Sequence, residues 1–277
     1  DMNIGNLIGI CILFLLIGYL IGSILFGLII SKIQGINIRN LGSGNVGATN
    51  VTRNLGKISG GTVMILDFFK SWIATFLCLV IYKYLKNSIG SETDYSNAGV
   101  IVYLGGFSAI IGHCFPISYF YALFKFKFDF QIAKKYSGGK GVSSAAGFAA
   151  AISPWFFFIC FIIFWTICIL SRYVSLASII TSSLLPLWVL IPHLDYFYIV
   201  DTAGANVIDN FPPFNNPFAV SQIFNYYDGT KFWYIIVIFI LEFLIANLIV
   251  YRHKENIVRL YKNSENKIKL NIFKSKK

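Results

Sequence analysis

Long apolar runs, each separated from the next by a polar segment, most limit what this chain can fold into. The first run, Leu7–Ile30, contains no charged residue, and about 20 apolar residues in a helix suffice to cross the hydrocarbon core of a bilayer. The sequence of 277 residues is 56% hydrophobic and only 13% charged. Soluble domains carry about 25% charged residues. The composition therefore predicts an all-α integral membrane protein.

Seven membrane helices are predicted from these runs. The first run lacks a basic leading segment and a small-residue cleavage site, which indicates a retained helix and not a signal peptide. Because proline interrupts a helix, Ser153-Pro154 divides the run Val142–Leu170 into helices four and five. Six spans are the alternative, since helix four is too short to cross the membrane unaided. The other predicted spans are about Gly61–Tyr82, Ala98–His113, Tyr173–Pro192 and Phe232–Tyr251.

The formal net charge of +11 is unevenly distributed along the chain. Lys and Arg concentrate in the polar segments on one side of the spans, whereas the segments on the other side are mainly acidic. The positive-inside rule then predicts an N-terminus outside the cell and a C-terminus in the cytoplasm. Nucleic-acid binding explains the charge poorly, because no basic soluble domain is predicted to carry it. The basic side holds Lys32, Arg39, Arg53, Lys57, Lys125, Lys127, Lys134, Lys135, Lys140, Arg172 and the tail.

A single membrane-embedded domain, 1–277, is predicted in the cell membrane, with its polar clusters on the cytoplasmic side. Its polar segments include one at about 117–136 on the cytoplasmic side, a long external loop at about 194–231 and a basic tail at 252–277. The five cysteines are scattered, and no pair has the spacing of metal ligands. We therefore expect no disulfide framework, no metal site and no cofactor.

A segment rich in glycine and asparagine, LGSGNVGATNVTRNLGK, follows the first apolar run. Glycines adopt backbone conformations closed to other residues and let neighbouring N–H groups turn toward one point. If a helix begins near Ala48, Thr49 and Arg53 share one of its faces. The pattern suits a phosphate cradle, and a plain turn between helices is the alternative. No Gly-Lys-Ser or Gly-Lys-Thr follows the glycines, which argues against nucleoside triphosphates.

Four further polar clusters fall on the same predicted side. GHCFP places His113 at the inner end of helix three. SGGKGVSSAAG places Lys140 at a helix start, where N–H groups and a cation coincide, although its small residues also suit close helix packing. SRYVSLAS contains Ser171 and Arg172, and snorkelling at the membrane boundary also explains that arginine. NLIVYRHKENIVRL contains Asn256 on a predicted interfacial helix.

Other polar residues rank below these clusters. His193 falls on the outer side, and His253 lies in the basic tail. Asp67 and Lys70 are three residues apart in helix two, so they are expected to neutralise one another. The five clusters together predict a pocket for one or two phosphate-bearing ligands at the inner membrane surface.

In this order, GSGNVGATNVTRNLGK, GHCFP…GGKGV, SRYVSLAS and RHKENIVRL resemble the motifs of the bacterial membrane glycerol-3-phosphate acyltransferases that use acyl phosphate, the PlsY type. The similarity spans about Gly22–Asn266. It implies seven transmembrane helices and a cytoplasmic active site. The implied reaction moves a fatty acyl group from acyl phosphate to the 1-hydroxyl of sn-glycerol 3-phosphate, giving lysophosphatidic acid and inorganic phosphate. The implied partners are both substrates and the lipid bilayer, with no obligatory protein partner.

The resemblance also implies roles for matched residues. His113, Asn256 and Ser43 are the implied catalytic residues, and the departing phosphate itself takes the hydroxyl proton. His113 as a general base is the alternative. The implied acyl-phosphate-binding residues are Ser43, Gly44, Asn45, Gly47, Ala48, Thr49 and Asn50. The implied glycerol-3-phosphate clamp is Arg53, Lys140, Ser171 and Arg172.

One region departs from the family pattern. The link from GHCFP to GGKG expands into ISYFYALFKFKFDFQIAKKY, and Ser137 stands where the family has a lysine. Lys134 or Lys135 is a candidate substitute for that lysine. A gating or membrane-dipping flap is the other interpretation of the insertion.

A membrane transporter of organic phosphates is the alternative from another functional class. Transporters also have glycine-broken helices and intramembrane charges, but their polar sites lie near the middle of the membrane. The clusters here lie at one surface, which favours the enzyme. None of the three histidines begins His-x-x-x-x-Asp, a pattern common in acyltransferases that use acyl-CoA or acyl carrier protein.

Overall fold

Helices make up all the regular secondary structure in the residues that the computed structural model describes, 4–88, 95–190 and 232–268. Within this part of the chain, the all-α prediction is confirmed. The predicted loop at 194–231, His193 and the last nine residues of the tail lie outside the described residues. The α-helices are α1 Ile4–Gly22, α2 Phe26–Ile33, α3 Ala48–Leu55, α4 Lys57–Ser88, α5 Tyr95–Cys114, α6 Ile117–Lys125, α7 Phe130–Lys134, α8 Val142–Ile152, α9 Pro154–Ser171, α10 Val174–Ser183, α11 Phe232–Arg252 and α12 Lys254–Tyr261.

Three stretches are long and apolar enough to cross a membrane: Gly5–Ile33, Lys57–Tyr82 and Pro154–Ser171. Two bent helix pairs raise this number to five if each pair counts as one span: α5 with α6, at 54°, and α11 with α12, at 57°. The helices Val142–Ile152 and Val174–Leu187 are apolar but shorter. The count of seven spans and the orientation of the termini therefore remain predictions.

The first apolar run is interrupted, whereas the sequence predicted one continuous helix over Leu7–Ile30. Residues 23–25 separate α1 from α2. The break leaves the carbonyl oxygen of Ile24 outside the helical hydrogen-bond pattern, and Lys70 Nζ donates to it at 2.7 Å. The interruption thus provides a backbone acceptor for a charge on α4.

Small residues bring α1 and α5 into close contact. A Cβ atom at Gly18 would collide with the carbonyl of Gly105, and one at Gly22 would collide with that of Ala109. Such contacts between small residues let the backbones of membrane helices approach closely. Deeper in the bundle, Tyr103 on α5 donates a hydrogen bond to buried Glu242 on α11.

The serine- and alanine-rich α8 packs against α4, as its small residues predicted. A side chain at Gly147 would collide with the carbonyl of Phe68, and Ser144 Oγ donates to the Asp67 carbonyl at 3.2 Å. The predicted break at Ser153-Pro154 is also confirmed, because Ser153 Oγ caps α9 by accepting from Phe156 N at 3.3 Å. This packing places the first turn of α8 beside Asp67.

The insertion at 117–136 forms a short helical hairpin. α6 and α7 pack through buried Ala122, Leu123 and Ala133. The turn between them uses left-handed backbone at Lys127 (φ 51°) and Phe128 (φ 64°).

Candidate active site

A polar cavity of about 150 Å³ collects residues from all five sequence clusters. Ser43, His113, Lys140, Ser175 and Asn256 each represent one cluster in its wall. These residues are far apart in the chain, so the helix packing described above brings them together.

Three helices begin at this cavity. Ala48 and Thr49 of α3, Val142 and Ser143 of α8, and Val174 and Ser175 of α10 all line it. N–H groups in the first turn of a helix have no partner within the helix, and the helix dipole adds positive potential there. Three helix starts around one cavity make it a strong site for anions.

The glycine-rich loop is held by Asn50, which is buried. Asn50 Nδ2 donates to the carbonyls of Leu41 at 3.0 Å and Asn45 at 2.9 Å, and its Oδ1 accepts from Ser43 N at 3.1 Å. Gly44 turns with φ 68°. Much of the hydrogen-bonding capacity of Asn50 therefore shapes the loop.

Most of the predicted ligand residues line the cavity, and three do not. The cavity wall includes Ser43, Asn45, Gly47, Ala48, Thr49, Asn50, Arg53, His113, Lys140 and Asn256. Gly44, Ser171 and Arg172 are not in its wall. The Ser171 hydroxyl donates to the Ile167 carbonyl at 2.7 Å, and exposed Arg172 ends α9 with φ 61°. A place in the cavity wall does not assign a ligand, so the roles of all the predicted site residues remain predictions.

The expected Asp67–Lys70 ion pair is present, with Nζ and Oδ1 2.9 Å apart, and His113 joins it. Lys70 Nζ lies 2.8 Å from His113 Nδ1, while Asp67 Oδ1 lies 3.4 Å from the same nitrogen. All three side chains are almost fully buried. The Lys70 ammonium therefore has hydrogen-bond partners in His113 Nδ1 and the Ile24 carbonyl and an ion-pair partner in Asp67.

The two glycines before Lys140 leave room for His113. A Cβ atom at Gly138 would collide with the carbonyl of His113, and one at Gly139 would collide with its Nε2. The imidazole is thus held between Lys70 on its Nδ1 side and the Gly139 backbone on its Nε2 side. This packing keeps the ring orientation well defined.

Lys140 belongs to a second polar network at the cavity. Its ammonium donates to Asn256 Oδ1, and Asn256 Nδ2 donates to Glu265 Oε1 at 2.9 Å. Burial lowers the pKa of Lys140 to about 8. Burial alone would raise the pKa of Glu265, but hydrogen bonds from Arg259 and Asn256 hold that pKa below its usual range. Arg259 is paired with Glu265 at 2.7 Å, which leaves Lys140 and Arg53 as the cations in this wall with no carboxylate ion pair among the described residues.

Sequence reasoning ranked His253 low and did not consider Glu265, yet both side chains are buried in the cavity wall. His253 Nδ1 lies 2.8 Å from the carbonyl oxygen of Ile249, so Nδ1 is the donor there. The other ring nitrogen, Nε2, is then an acceptor. His253 and Asn256 are three positions apart, close to one helical turn, and this spacing was the available signal for His253.

Arg252 places its positive charge beside Ser137, the position where a lysine was expected. Its guanidinium donates to Ser137 Oγ at 3.2 Å and to the carbonyls of Gly138 at 2.8 Å and Gly139 at 3.0 Å. Lys134 instead pairs with Glu255 at 2.6 Å on the exposed surface. Neither Lys134 nor Lys135 lines the cavity, so its wall lends no support to the predicted substitution.

An apolar cavity of about 310 Å³ adjoins the polar one. Met64, Val142, Ser143, Phe164 and Ser178 belong to both walls. The rest of the apolar wall runs along α4, α8, α9 and α10 and is rich in Phe and Ala. An anion site thus continues directly into a slot with room for a hydrocarbon chain.

Comparisons with known proteins point to one enzyme family. The family model described as glycerol-3-phosphate acyltransferase matches residues 12–263. A glycerol-3-phosphate acyltransferase of Malacoplasma penetrans is 70% identical over 96% of this chain and 97% of its own length. One of Aquifex aeolicus is 33% identical over 92% of this chain and 98% of its own.

A solved structure has the same fold. It is the glycerol 3-phosphate form of PlsY (YgiH), an integral membrane glycerol 3-phosphate acyltransferase. The TM-score is 0.61 at 30% identity, covering 94% of this chain and 96% of that one. The chain described here therefore belongs to the glycerol-3-phosphate acyltransferase family.

Proposed function

We propose that this acyltransferase takes its acyl group from acyl phosphate and passes it to the 1-hydroxyl of glycerol 3-phosphate. The products are lysophosphatidic acid and inorganic phosphate. The observation that carries the proposal is the pair of adjoining cavities: three helix starts and two cations surround the polar one, and an apolar slot continues from it. Acyl phosphate matches this pair of cavities. Its phosphate is bonded directly to the acyl group, so the charged part and the hydrocarbon part of the molecule are adjacent.

The chemistry requires positioning more than covalent catalysis. Acyl phosphate is a mixed anhydride with a good leaving group, so direct attack by the hydroxyl needs no acyl-enzyme intermediate. The protein must hold two phosphates close together and stabilise the charge that develops on the carbonyl oxygen. N–H groups at helix starts can stabilise that charge by donating hydrogen bonds to the oxygen. Lys140 and Arg53 offset the repulsion between the two anions.

We assign His113 a neutral ring with its proton on Nε2. The Lys70 ammonium has only donors, so Nδ1 must accept at 2.8 Å. The proton then resides on Nε2, which makes His113 a hydrogen-bond donor and not a general base. Its proposed role is to polarise the carbonyl or the bridging oxygen of the acyl phosphate.

The proposed proton acceptor is the departing phosphate. The 1-hydroxyl oxygen attacks the carbonyl carbon, a new ester C–O bond forms, and the C–O bond to phosphate breaks. The hydroxyl proton moves to the phosphate, so charge and atoms balance. His253, through the free lone pair of Nε2, orients glycerol 3-phosphate by accepting a hydrogen bond from its 2-hydroxyl, which leaves the 1-hydroxyl proton for the phosphate. Asn256 fixes the adjacent Lys140 ammonium.

We propose a separate set of binding residues for each of the two substrates. The loop Ser43–Asn50 cradles the acyl-phosphate group. Arg53 and Lys140 hold glycerol 3-phosphate, and Ser171 and Arg172 complete that clamp from the adjoining α9–α10 junction. The charge bias of the polar segments predicts that the site opens on the cytoplasmic side of the plasma membrane.

Purified protein in detergent tests the proposed reaction directly. With palmitoyl phosphate and glycerol 3-phosphate it should release inorganic phosphate and form lysophosphatidic acid in equal amounts. Omission of glycerol 3-phosphate is the background control, and palmitoyl-CoA is the competing donor. Turnover with palmitoyl-CoA alone would reject acyl phosphate as donor. Glycerol 3-phosphate uptake into vesicles without product would favour a transporter.

Arg53→Ala is expected to raise the KM for glycerol 3-phosphate about tenfold, with a smaller change in kcat. A hydrogen bond to a charged group is worth about 1.5–3 kcal/mol, and Arg53 lies in the cavity wall. Lys57→Ala is the matched control, since it removes a cation outside that wall. A normal KM in Arg53→Ala would remove this arginine from the clamp.

Ala149→Phe is expected to shift donor preference from long to short acyl chains. Ala149 lines the apolar cavity about 10 Å along α8 from Val142, where the two cavities meet. A phenyl ring there would block the far part of the slot, lowering kcat/KM for palmitoyl phosphate about tenfold relative to octanoyl phosphate, which corresponds to about two methylenes left unburied. Ala150→Phe, outside the cavity wall, is the control. Equal losses with both donors would place the acyl chain elsewhere.

A further inference from the structure

The α6–α7 hairpin presents an aromatic surface that its own packing leaves open. Tyr121, Phe124, Phe128 and Phe130 are each more than half exposed, at 63%, 66%, 56% and 64%. None of the four rings belongs to the small buried core through which α6 and α7 pack. Burying these four rings in apolar surroundings would be favourable.

Lysines border this aromatic surface. Lys125 Nζ lies 5.6 Å from the centre of the Tyr121 ring, and exposed Lys127 occupies the turn. The nearby carboxylate of Asp129 accepts hydrogen bonds from Gln131 N and Ile132 N, so it caps the start of α7. The surface therefore combines exposed aromatic rings with positive charge.

The hairpin lies at the end of the helix bundle where charged residues and the polar cavity are found. α6 has 9 residues, too few to cross a membrane, and leaves the axis of α5 at 54°. Lys134 pairs with Glu255 of α12, which also carries Asn256. Arg39, just before the glycine-rich loop, donates to the Ser137 carbonyl at 2.7 Å.

We propose that the hairpin 117–136 is a membrane-surface anchor that binds anionic lipid. Its aromatic rings insert into the interfacial layer of the bilayer, and Lys125 and Lys127 contact anionic headgroups. Aromatic residues with lysines are the composition that membrane interfaces select. Anionic headgroups attract nearby lysines, with about 1 kcal/mol for each at the surface.

This anchor has a direct connection to the catalytic segment. The chain runs from α7 through Ser137 to Lys140. Arg39 donates to the Tyr136 carbonyl at 3.2 Å and Lys134 pairs with Glu255, which fastens the hairpin to the two segments that carry the glycine-rich loop and Asn256. The anchored hairpin therefore holds the cavity rim at the level of the headgroups. A lipid-borne substrate would meet the anion site there without leaving the bilayer.

The depth of position 124 tests the anchor without any activity measurement. An environment-sensitive fluorescent amino acid replaces Phe124 in the full chain, reconstituted in nanodiscs of phosphatidylcholine with or without phosphatidylglycerol. We expect blue-shifted emission that nitroxide-labelled lipid quenches and aqueous iodide does not, and a larger effect with phosphatidylglycerol. Quenching by iodide alone would place the hairpin in water. Protection from both quenchers would indicate a protein contact, such as a second copy, and either result would overturn the proposal.

Charge variants test the lipid preference in the same nanodiscs. Lys125→Gln with Lys127→Gln should abolish the added effect of phosphatidylglycerol on the probe. Lys32→Gln with Lys57→Gln removes the same charge from exposed positions outside the hairpin and should preserve it. An unchanged response in the hairpin variant, or equal losses in both, would contradict anionic-lipid recognition by these lysines.

Discussion

Lys70→Met is expected to lower kcat for acyl transfer by at least about 100-fold, the usual effect of losing one preorganised transition-state donor. Lys70 does not line the polar cavity, so it acts through His113. The substitution removes the donor that holds His113 Nδ1 as an acceptor at 2.8 Å. The imidazole is then free to place its proton on Nδ1 toward Asp67, which turns Nε2 from a donor into an acceptor. The KM for glycerol 3-phosphate should change much less than kcat.

The same substitution also leaves the Asp67 carboxylate buried without its cation, which typically costs about 3–5 kcal/mol of stability. The double variant Asp67→Asn with Lys70→Met separates the two effects, because it removes both charges from the interior. We expect it to recover thermal stability in detergent while kcat stays low. Recovery of wild-type kcat in that folded double variant would show that Lys70 serves only to neutralise Asp67.

Lys70→Arg is a second control for the same interpretation. Arginine keeps the charge but spreads its donors over a planar fork that does not fit three acceptors around one nitrogen. It should therefore preserve most of the stability and little of the rate. The pH profile of kcat in this variant should keep the wild-type shape at a lower level, because the defect is the position of the ring proton and not a changed titration.

Local features of the fold were predictable because they depend on neighbouring residues. The helix break at Ser153-Pro154 follows from proline geometry, and the start of α3 at Ala48 agrees with the expected position. The close packing of α8 follows from its small residues. In each case a few adjacent residues contain the whole physical cause. The unpredicted break at residues 23–25 shows the limit of this reasoning, because no proline marks it and its carbonyl serves a lysine 46 positions away.

The candidate site was predictable as a set of clusters but not as a network. Lys70 and His113 are 43 positions apart, and Lys140 and Asn256 are 116 apart. No periodicity relates such residues, so their contact depends on how α4, α5, α8 and α12 are placed. Glu265 was not predicted for the same reason. In the sequence it is an acidic residue in a basic tail, whereas in the fold it is buried against Arg259 and Asn256.

Ser171 and Arg172 illustrate the converse problem. Their motif matches the family, yet the Ser171 hydroxyl bonds within its own helix and exposed Arg172 terminates α9. A sequence motif identifies which residues belong together by descent. It does not say which atoms face a cavity before a ligand is bound.

Lys140 is expected to make glycerol 3-phosphate use strongly pH-dependent. Its pKa is lowered to about 8 by burial, so the ammonium is present below that pH and is lost as the pH rises through it. The second pKa of a phosphate monoester is about 6, so the substrate stays a dianion over this range. The loss of attraction therefore comes from the enzyme. We expect kcat/KM for glycerol 3-phosphate to fall about tenfold per pH unit above about 8.

Substitutions at Lys140 separate charge from shape. Lys140→Gln keeps a polar side chain without the charge and should lower kcat/KM about 100-fold at pH 7, since it leaves two anions with one fewer cation. Lys140→Arg retains a charge that does not titrate below about pH 12, so its activity should be lower than wild type but flat through pH 8 and 9. Lys57→Arg, the same exchange outside the cavity wall, should keep the wild-type profile. A decline above pH 8 that persists in Lys140→Arg would assign the titration to another group, and Lys140 would then not be the cation that glycerol 3-phosphate senses.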